Sequence, residues 1–148
     1  NENLSCWDLS SATSLENTFW GARKFNGDVS TWDVSLVWNM FSTFTYADSF
    51  NRDISGWDVS STISLDRTFR EARKFNGDVS AWDVSLARNI YFTFGYAYDF
   101  NSDVSGWDVS STTTLESTFE KTQVFNGDIS VWDVSSVTFL MRTFWYAT

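Results

Sequence analysis

Apolar and polar positions recur along the chain with a period of 25 residues. Tryptophan followed by aspartate keeps this period, at Trp7, Trp32, Trp57, Trp82, Trp107 and Trp132. A Thr-Phe pair keeps it too, with its phenylalanine at Phe19, Phe44, Phe69, Phe94, Phe119 and Phe144. Such self-similarity is typical of stacked repeats, in which each unit covers the apolar face of the next. The sequence predicts a single repeat domain over 1–148, with copies at 1–25, 26–50, 51–75, 76–100, 101–125 and 126–148.

The spacing of apolar residues changes within one copy. Trp32 and Val34 are two residues apart, as in a short strand. The next apolar or small positions follow the i, i+3, i+7, i+10 spacing of one helix face, at Val37, Met40, Phe44 and Ala47. Ser35 stands where a helix N-cap is expected, and residues 25–28 read as the return turn. This pattern predicts an α/β solenoid of six stacked strand–turn–helix repeats of leucine-rich-repeat type.

The repeat unit also resembles a known family. It reads F-N-G-D-[IV]-S-x-W-D-V-S-x-V-x-x-[ML]-x-x-T-F-x-x-A, which is similar to the BspA-like, mycoplasma-lipoprotein-type surface repeat, a relative of the leucine-rich repeat. The family usually has Met before the Phe, whereas this chain has Thr18, Thr43, Thr68, Thr93, Thr118 and Thr143. The resemblance implies an extracellular or cell-surface protein used in adhesion or assembly, without enzymatic activity.

Composition argues against several function classes. A net charge of -9 disfavours nucleic acid as a partner, because phosphate binding needs clustered Lys and Arg. No apolar run is long enough to insert into a membrane. The chain has no histidine and one cysteine, Cys6, so the common catalytic triads and multi-thiolate metal sites are absent. Asp28 and Asp33 could form a glycosidase pair, but six identical copies do not suit an active site built once. We therefore predict no enzyme.

Stacking would bring aspartates and asparagines into columns of like residues. Asp33 and its equivalents form one column, Asp28 and its equivalents a second, and Asn26 and its equivalents a third. Closely spaced carboxylates favour calcium, although the chain has no EF-hand or calcium-binding nonapeptide spacing. The alternative, which we favour, is that these side chains hydrogen-bond the backbone of the turns. We accordingly expect no cofactor. Ranks of Ser and Thr could order water, but the sequence lacks a Thr-x-Thr strand rank.

A second period, of 50 residues, is visible at the variable positions. Even copies carry aromatic or apolar residues where odd copies carry charge or glycine, as in Phe41 against Asp66 and Tyr46 against Glu71. Large exposed apolar patches commonly mark contact sites. The predicted interaction residues are Trp38, Phe41, Tyr46, Tyr91, Phe92, Tyr96, Tyr98, Met141, Trp145 and Tyr146.

Two functions compete for this aromatic face. A regularly alternating surface favours self-association, as a dimer or the lateral contact of a filament, because a repeating contact needs a repeating surface. The alternative is an adhesin that binds a host protein or a glycan. Neither end of the sequence shows a polar capping repeat, which leaves two interpretations: flanking caps lie outside this sequence, or copies stack end to end.

Overall fold

The computed structural model describes residues 4–147 as six coils stacked on one another, numbered here 1 to 6 after the copies of the repeat. These residues contain no helix, and their only sheet-like pairings are isolated bridges between successive coils. The bridges are parallel and join Ser14, Asn39, Ser64, Asn89, Thr114 and Phe139 in order. The predicted α/β solenoid of leucine-rich-repeat type is therefore wrong. The ends of the predicted domain, residues 1–3 and 148, lie outside the described residues.

The segment predicted as a helix is a run of turns, at 16–21, 41–46, 66–71, 91–96, 116–121 and 141–146. In coil 2 the Thr43 N–H donates to the Met40 carbonyl three residues earlier, which closes a β-turn. The Phe44 N–H donates instead to the Thr68 carbonyl of coil 3, at 2.8 Å. Successive N–H groups thus alternate between closing a turn and joining two coils. A helix would need every one of them to donate within the segment.

The spacing that predicted a helix has a different physical cause. Residues three apart are also the two ends of a β-turn, and the buried positions of the coil lie at such ends. The Ala47 N–H donates to Phe44, and the Phe50 N–H donates to Ala47, both at 2.9 Å. Ser35, predicted as an N-cap, does not start a helix; its hydroxyl donates to the Asp33 carboxylate at 2.6 Å.

The core of the stack contains three columns of rings alongside aliphatic side chains, a column being the residues at one position of the repeat. Neighbouring rings of the Phe44 column lie 5.2 to 5.8 Å apart. The Phe50 column is spaced at 5.9 to 6.0 Å and the Trp57 column at 6.1 to 6.5 Å. Phe44 and Phe50 stack within one coil at 3.9 Å. Truncating such a buried ring to alanine typically costs about 3 to 5 kcal/mol, so these columns dominate the stability of the stack.

Polar side chains join the coils through repeated hydrogen bonds. The Asn51 N–H donates to the side-chain oxygen of Asn26, and the same bond recurs up to Asn126. The Trp57 ring N–H donates to the Val29 carbonyl, and the tryptophans at the same repeat position, from Trp32 to Trp132, each make the equivalent bond to the coil before. These bonds satisfy backbone groups that would be costly to bury unpaired, because the turns have no ladder of their own.

A helix long and apolar enough to cross a membrane does not occur among residues 4–147.

Candidate interaction surface

The aspartate columns serve the turns of the coils. Asp33 accepts both the N–H and the hydroxyl of Ser35, and Asp28 does the same for Ser30. Donation by the serine two residues later lowers the pKa below its ordinary value at Asp8, Asp28, Asp33, Asp53, Asp78, Asp83, Asp103, Asp108, Asp128 and Asp133. No cluster of three metal-ligating side chains occurs in the part of the chain that the structure describes. The aspartate side chains hydrogen-bond the turns, which is the role that the sequence favoured for them.

The alternating aromatic and charged residues are arranged as cation–π sandwiches. Arg67 of coil 3 lies between rings of coils 2 and 4, with its guanidinium carbon 5.6 Å from the centroid of Phe41 and 4.7 Å from that of Tyr91. Arg70 lies in the same way between Tyr46, at 5.2 Å, and Phe92, at 4.9 Å. The 50-residue period therefore has an intrachain function, because a cation in an odd coil needs rings in the even coils on both sides.

A second cation–π cluster joins coils 4, 5 and 6. The Lys121 ammonium lies 4.8 Å from the Tyr96 centroid, 5.2 Å from Trp145 and 5.8 Å from Tyr146. The guanidinium carbon of Arg142 also lies over the Trp145 ring, 5.1 Å from its centroid. The lysine thus occupies the space that its three rings enclose.

The sandwiches use a strained backbone. Residues at two positions of each coil have positive φ, and most of them are large, including Tyr46, Arg67, Phe92, Tyr96 and Lys121. Among the described residues with positive φ, Gly21 alone lacks a side chain, and for a large side chain this conformation costs on the order of 1 to 2 kcal/mol. The same residues make the cation–π contacts, so stacking offsets part of that cost.

Nearby carboxylates balance the cations of coil 3. Arg67 pairs with Asp66 at 3.3 Å, and Arg73 pairs with Glu71 at 3.2 Å and reaches Asp48 at 4.0 Å. Burial raises the pKa of the Asp66 carboxyl, although Arg67 beside it acts in the opposite direction. Two of the basic residues of coil 3, Arg67 and Arg73, are therefore paired with carboxylates of the same chain.

The ten predicted interaction residues fall into two groups. The half-buried ones, all with an intrachain stacking partner, are Phe41, Tyr46, Tyr91, Phe92, Tyr96 and Tyr98. The exposed ones are Trp38, Met141, Trp145 and Tyr146. The structure does not bring these exposed residues onto one patch, since Trp38 is in coil 2 and the other three are in coil 6.

The sequence reasoning missed an apolar stripe on the flank of the stack. We call Leu36, Trp38, Ile63 and Leu86 the flank stripe; all four are exposed, on the consecutive coils 2, 3 and 4. The residue between Leu36 and Trp38 is buried, as is the residue between Leu86 and Arg88, so the exposed pair points outward in each coil. Coils 1, 5 and 6 carry only Ser and Thr there, at Ser11, Thr13, Ser111, Thr113, Ser136 and Thr138. This apolar-to-hydroxyl change between coils is the signal that could have revealed the stripe.

A groove lies where coils 4, 5 and 6 meet. It has a volume of about 790 Å³ and is lined by Tyr98, Lys121, Gln123, Val124, Trp145 and Tyr146. The Trp145 and Tyr146 rings are 4.7 Å apart at an angle of 70°. Three of the predicted interaction residues thus contribute to one concave surface.

The two end coils expose groups that are paired elsewhere. In coil 6 the N–H groups of Leu140, Arg142, Phe144 and Tyr146 have no acceptor among residues 4–147. In coil 1 the carbonyls of Ser14, Glu16, Thr18 and Trp20 have no donor within the same range. These are the same repeat positions that pair between coils 2 and 3, where Met40, Ser42, Phe44 and Tyr46 donate to Ser64, Asp66, Thr68 and Arg70.

Comparison with known proteins gives a family and no function. The family model "Mycoplasma protein of unknown function, DUF285" matches residues 1–103 and 78–148, which together cover the chain. Neither the curated proteins nor the solved structures gave a match. This family fits loosely with the resemblance to mycoplasma-type surface repeats, but the match supports no leucine-rich-repeat feature. The chain belongs to the DUF285 family of Mycoplasma-type proteins of unknown function.

Proposed function

We propose that the protein is a non-enzymatic, extracellular structural protein that associates with further copies of itself, and that the flank stripe is its contact surface. The observation that carries the proposal is the confinement of four exposed apolar side chains to three consecutive coils. Monomeric surfaces expose apolar residues singly, whereas a contiguous patch with a polar border is typical of a contact site.

A second copy of the chain suits this surface because the stripe carries complementary chemistry. Arg88 occupies the same outward column as Trp38 and Ile63, and its side chain has no ring or carboxylate partner among residues 4–147. Arginine over an aromatic ring is the contact that this chain uses repeatedly within itself. The exposed Trp38 of the stripe and the unpaired Arg88 next to the stripe can therefore contact each other between two copies.

The test is the molar mass of the 148-residue chain, measured by sedimentation and light scattering over a wide concentration range. The variant Leu36→Ser/Leu86→Ser places in coils 2 and 4 the serine that the other coils already carry. We expect the wild type to increase in mass with concentration and this variant to remain monomeric. Val131→Ser, an exposed apolar residue outside the stripe, is the matched control and should behave as the wild type. A monomeric wild type, or association that survives the double substitution, would overturn the proposal.

The end faces support a second mode of association. A further coil, from the same polypeptide or from another copy, would pair the unpaired N–H groups of coil 6 and cover Leu140 and Phe144. Exposed edges of this kind are templates for strand-like pairing. Leu140→Lys should shorten any filaments seen by electron microscopy, whereas Val131→Lys, at a position that is exposed in every coil, should leave their length unchanged.

Binding of a glycan or a host protein is a second candidate function, and the groove beside Lys121 is the observation that favours it. Two rings inclined at 70° together with Lys and Gln side chains suit a sugar, which presents both apolar faces and hydroxyls. Titration with a panel of oligosaccharides should show saturable binding that Trp145→Ala removes. Trp20→Ala, at an exposed tryptophan far along the chain, should retain it. Absence of saturable binding across the panel would exclude glycans.

A further inference from the structure

We infer that two copies of this chain pair antiparallel through the flank stripe, with Trp38 of each copy against Arg88 of the other. This inference rests on the proposed function and specifies the arrangement of the contact. The two copies are related by a two-fold axis that lies in the interface, perpendicular to the stack, and passes along coil 3 at Ser61 and Ile63.

The stripe has the regular spacing that such symmetry requires. Within each chain the Ile63 N–H donates to the Trp38 carbonyl at 2.9 Å, and the Arg88 N–H donates to the Ile63 carbonyl at 2.9 Å. Trp38 and Arg88 are therefore one coil step to either side of Ile63. A two-fold axis at Ile63 exchanges coil 2 with coil 4, so that every residue meets its counterpart from the opposite coil.

The residues exchanged by this axis are chemically complementary. Leu36 meets Leu86, Trp38 meets Arg88, and Ile63 meets Ile63 of the second copy. Coil 1 then faces coil 5, so Ser11 and Thr13 meet Ser111 and Thr113. An apolar centre with a hydroxyl-bearing rim results, which is the usual anatomy of a protein interface.

The parallel arrangement is chemically inferior. With both stacks in the same direction, the two-fold axis runs along the stack and each coil faces its own copy. Leu86 would then meet Arg88, and the Arg88 side chains of the two copies would lie side by side in coil 4. Like charges brought together without a partner oppose association, and neither arginine would reach a ring. The position of Arg88 thus favours the antiparallel arrangement, in which it meets Trp38, over the parallel one, in which it lies beside another arginine.

The test introduces charged residues at Trp38 and exchanges the charge at Arg88. Trp38→Lys places a lysine against Arg88 in the antiparallel pair and should raise the dimer Kd about tenfold or more. Arg88→Glu removes the cation and should also weaken association. The combination Trp38→Lys/Arg88→Glu creates a Lys–Glu pair on each side of the axis and should lower the Kd again, with a dependence on salt that the wild type lacks. Trp38→Glu/Arg88→Glu is the matched control and should remain weak.

Each outcome has a distinct meaning. Recovery by the Lys/Glu combination and none by the Glu/Glu combination supports the antiparallel pair. A second outcome is that Leu36→Ser/Leu86→Ser abolishes association, while the Lys/Glu combination associates no better than Trp38→Lys or Arg88→Glu alone. The antiparallel arrangement is then refuted and the proposed contact surface stands. If the wild type is monomeric at every concentration, both are refuted. Far-UV circular dichroism and thermal unfolding of each variant, compared with the wild type, show that these exposed substitutions leave the fold intact.

Discussion

The buried threonine column offers a quantitative test of how the coils are joined. The hydroxyl of Thr68 lies 2.8 Å from the Leu65 carbonyl of its own coil and 3.0 Å from the Met40 carbonyl of the coil before. Thr93 repeats the arrangement, at 2.8 Å from Ile90 and 2.9 Å from the same Leu65 carbonyl. The carbonyls at this position from Leu15 to Leu115 are thus each shared by threonines of two successive coils.

Thr68→Val removes the hydroxyl and keeps the shape of the side chain. Thr68 is fully buried, so water cannot replace the lost donor. The Leu65 carbonyl still accepts from Thr93 and from the Thr68 backbone N–H, which keeps the cost near that of one ordinary hydrogen bond. We expect a loss of about 1 kcal/mol in the free energy of unfolding.

The double substitution Thr68→Val/Thr93→Val should cost more than the sum of its parts, because both hydroxyl donors to the Leu65 carbonyl are then gone. A coupling of about 0.5 to 1 kcal/mol is expected for groups that share one partner. Thr43→Val/Thr118→Val is the matched control: these hydroxyls share no carbonyl, so their effects should add. The measurement is urea unfolding followed by tryptophan fluorescence, with an unchanged denaturant slope as a check that one transition is being compared. Thr68→Val without loss of stability, or equal coupling in both pairs, would refute the shared-acceptor arrangement.

Two further predictions follow from the turns. Gly95→Ala would place a methyl group against the Phe92 ring, so it should displace that ring from Arg70 and destabilise the protein by about 1 to 3 kcal/mol. Gly56→Ala, with no atom within 4 Å of the added methyl, should be nearly neutral in thermal unfolding. Acid should lower the melting temperature: the serine hydrogen bonds lower the folded-state pKa of ten aspartates, so the stability that these contribute is complete above the ordinary value of 3.8 and is lost as the pH falls through the lower folded-state values. Asp78→Asn, which can still accept from Ser80, should flatten this dependence, and a melting temperature unchanged down to about pH 2 would contradict it.

The sequence contained the period and the identity of the core, because both are written as exact repetition of residue types. The rings of the Phe44 and Trp57 columns are buried where the pattern places them, except at the ends of the stack, where Trp7 and Phe144 are exposed. The local structure was misjudged because an i, i+3 spacing is shared by helices and β-turns. The positive φ of large residues such as Tyr46 and Arg67 carries no sequence signal, since glycine is the residue expected there.

The candidate surface could be predicted only in part. Alternation of aromatic and charged residues correctly indicated a paired unit of two coils, but not that each cation would lie between the rings of neighbouring coils. Such a contact depends on the distance between coils, which a repeat pattern does not specify. Of the flank stripe only Trp38 was predicted, because Leu36, Ile63 and Leu86 lie in three different copies and only stacking makes them neighbours.

The cation–π sandwiches also limit how the gene for such a chain can lengthen. Duplication of a single coil would place ring on ring or charge on like charge at the new junction, because odd and even coils differ in the columns of Phe41 and Tyr46. Duplication of two coils together would reproduce every contact. Arrays of this family that keep the alternation can therefore grow or shrink by recombination only in steps of 50 residues, while the core columns alone would allow steps of 25.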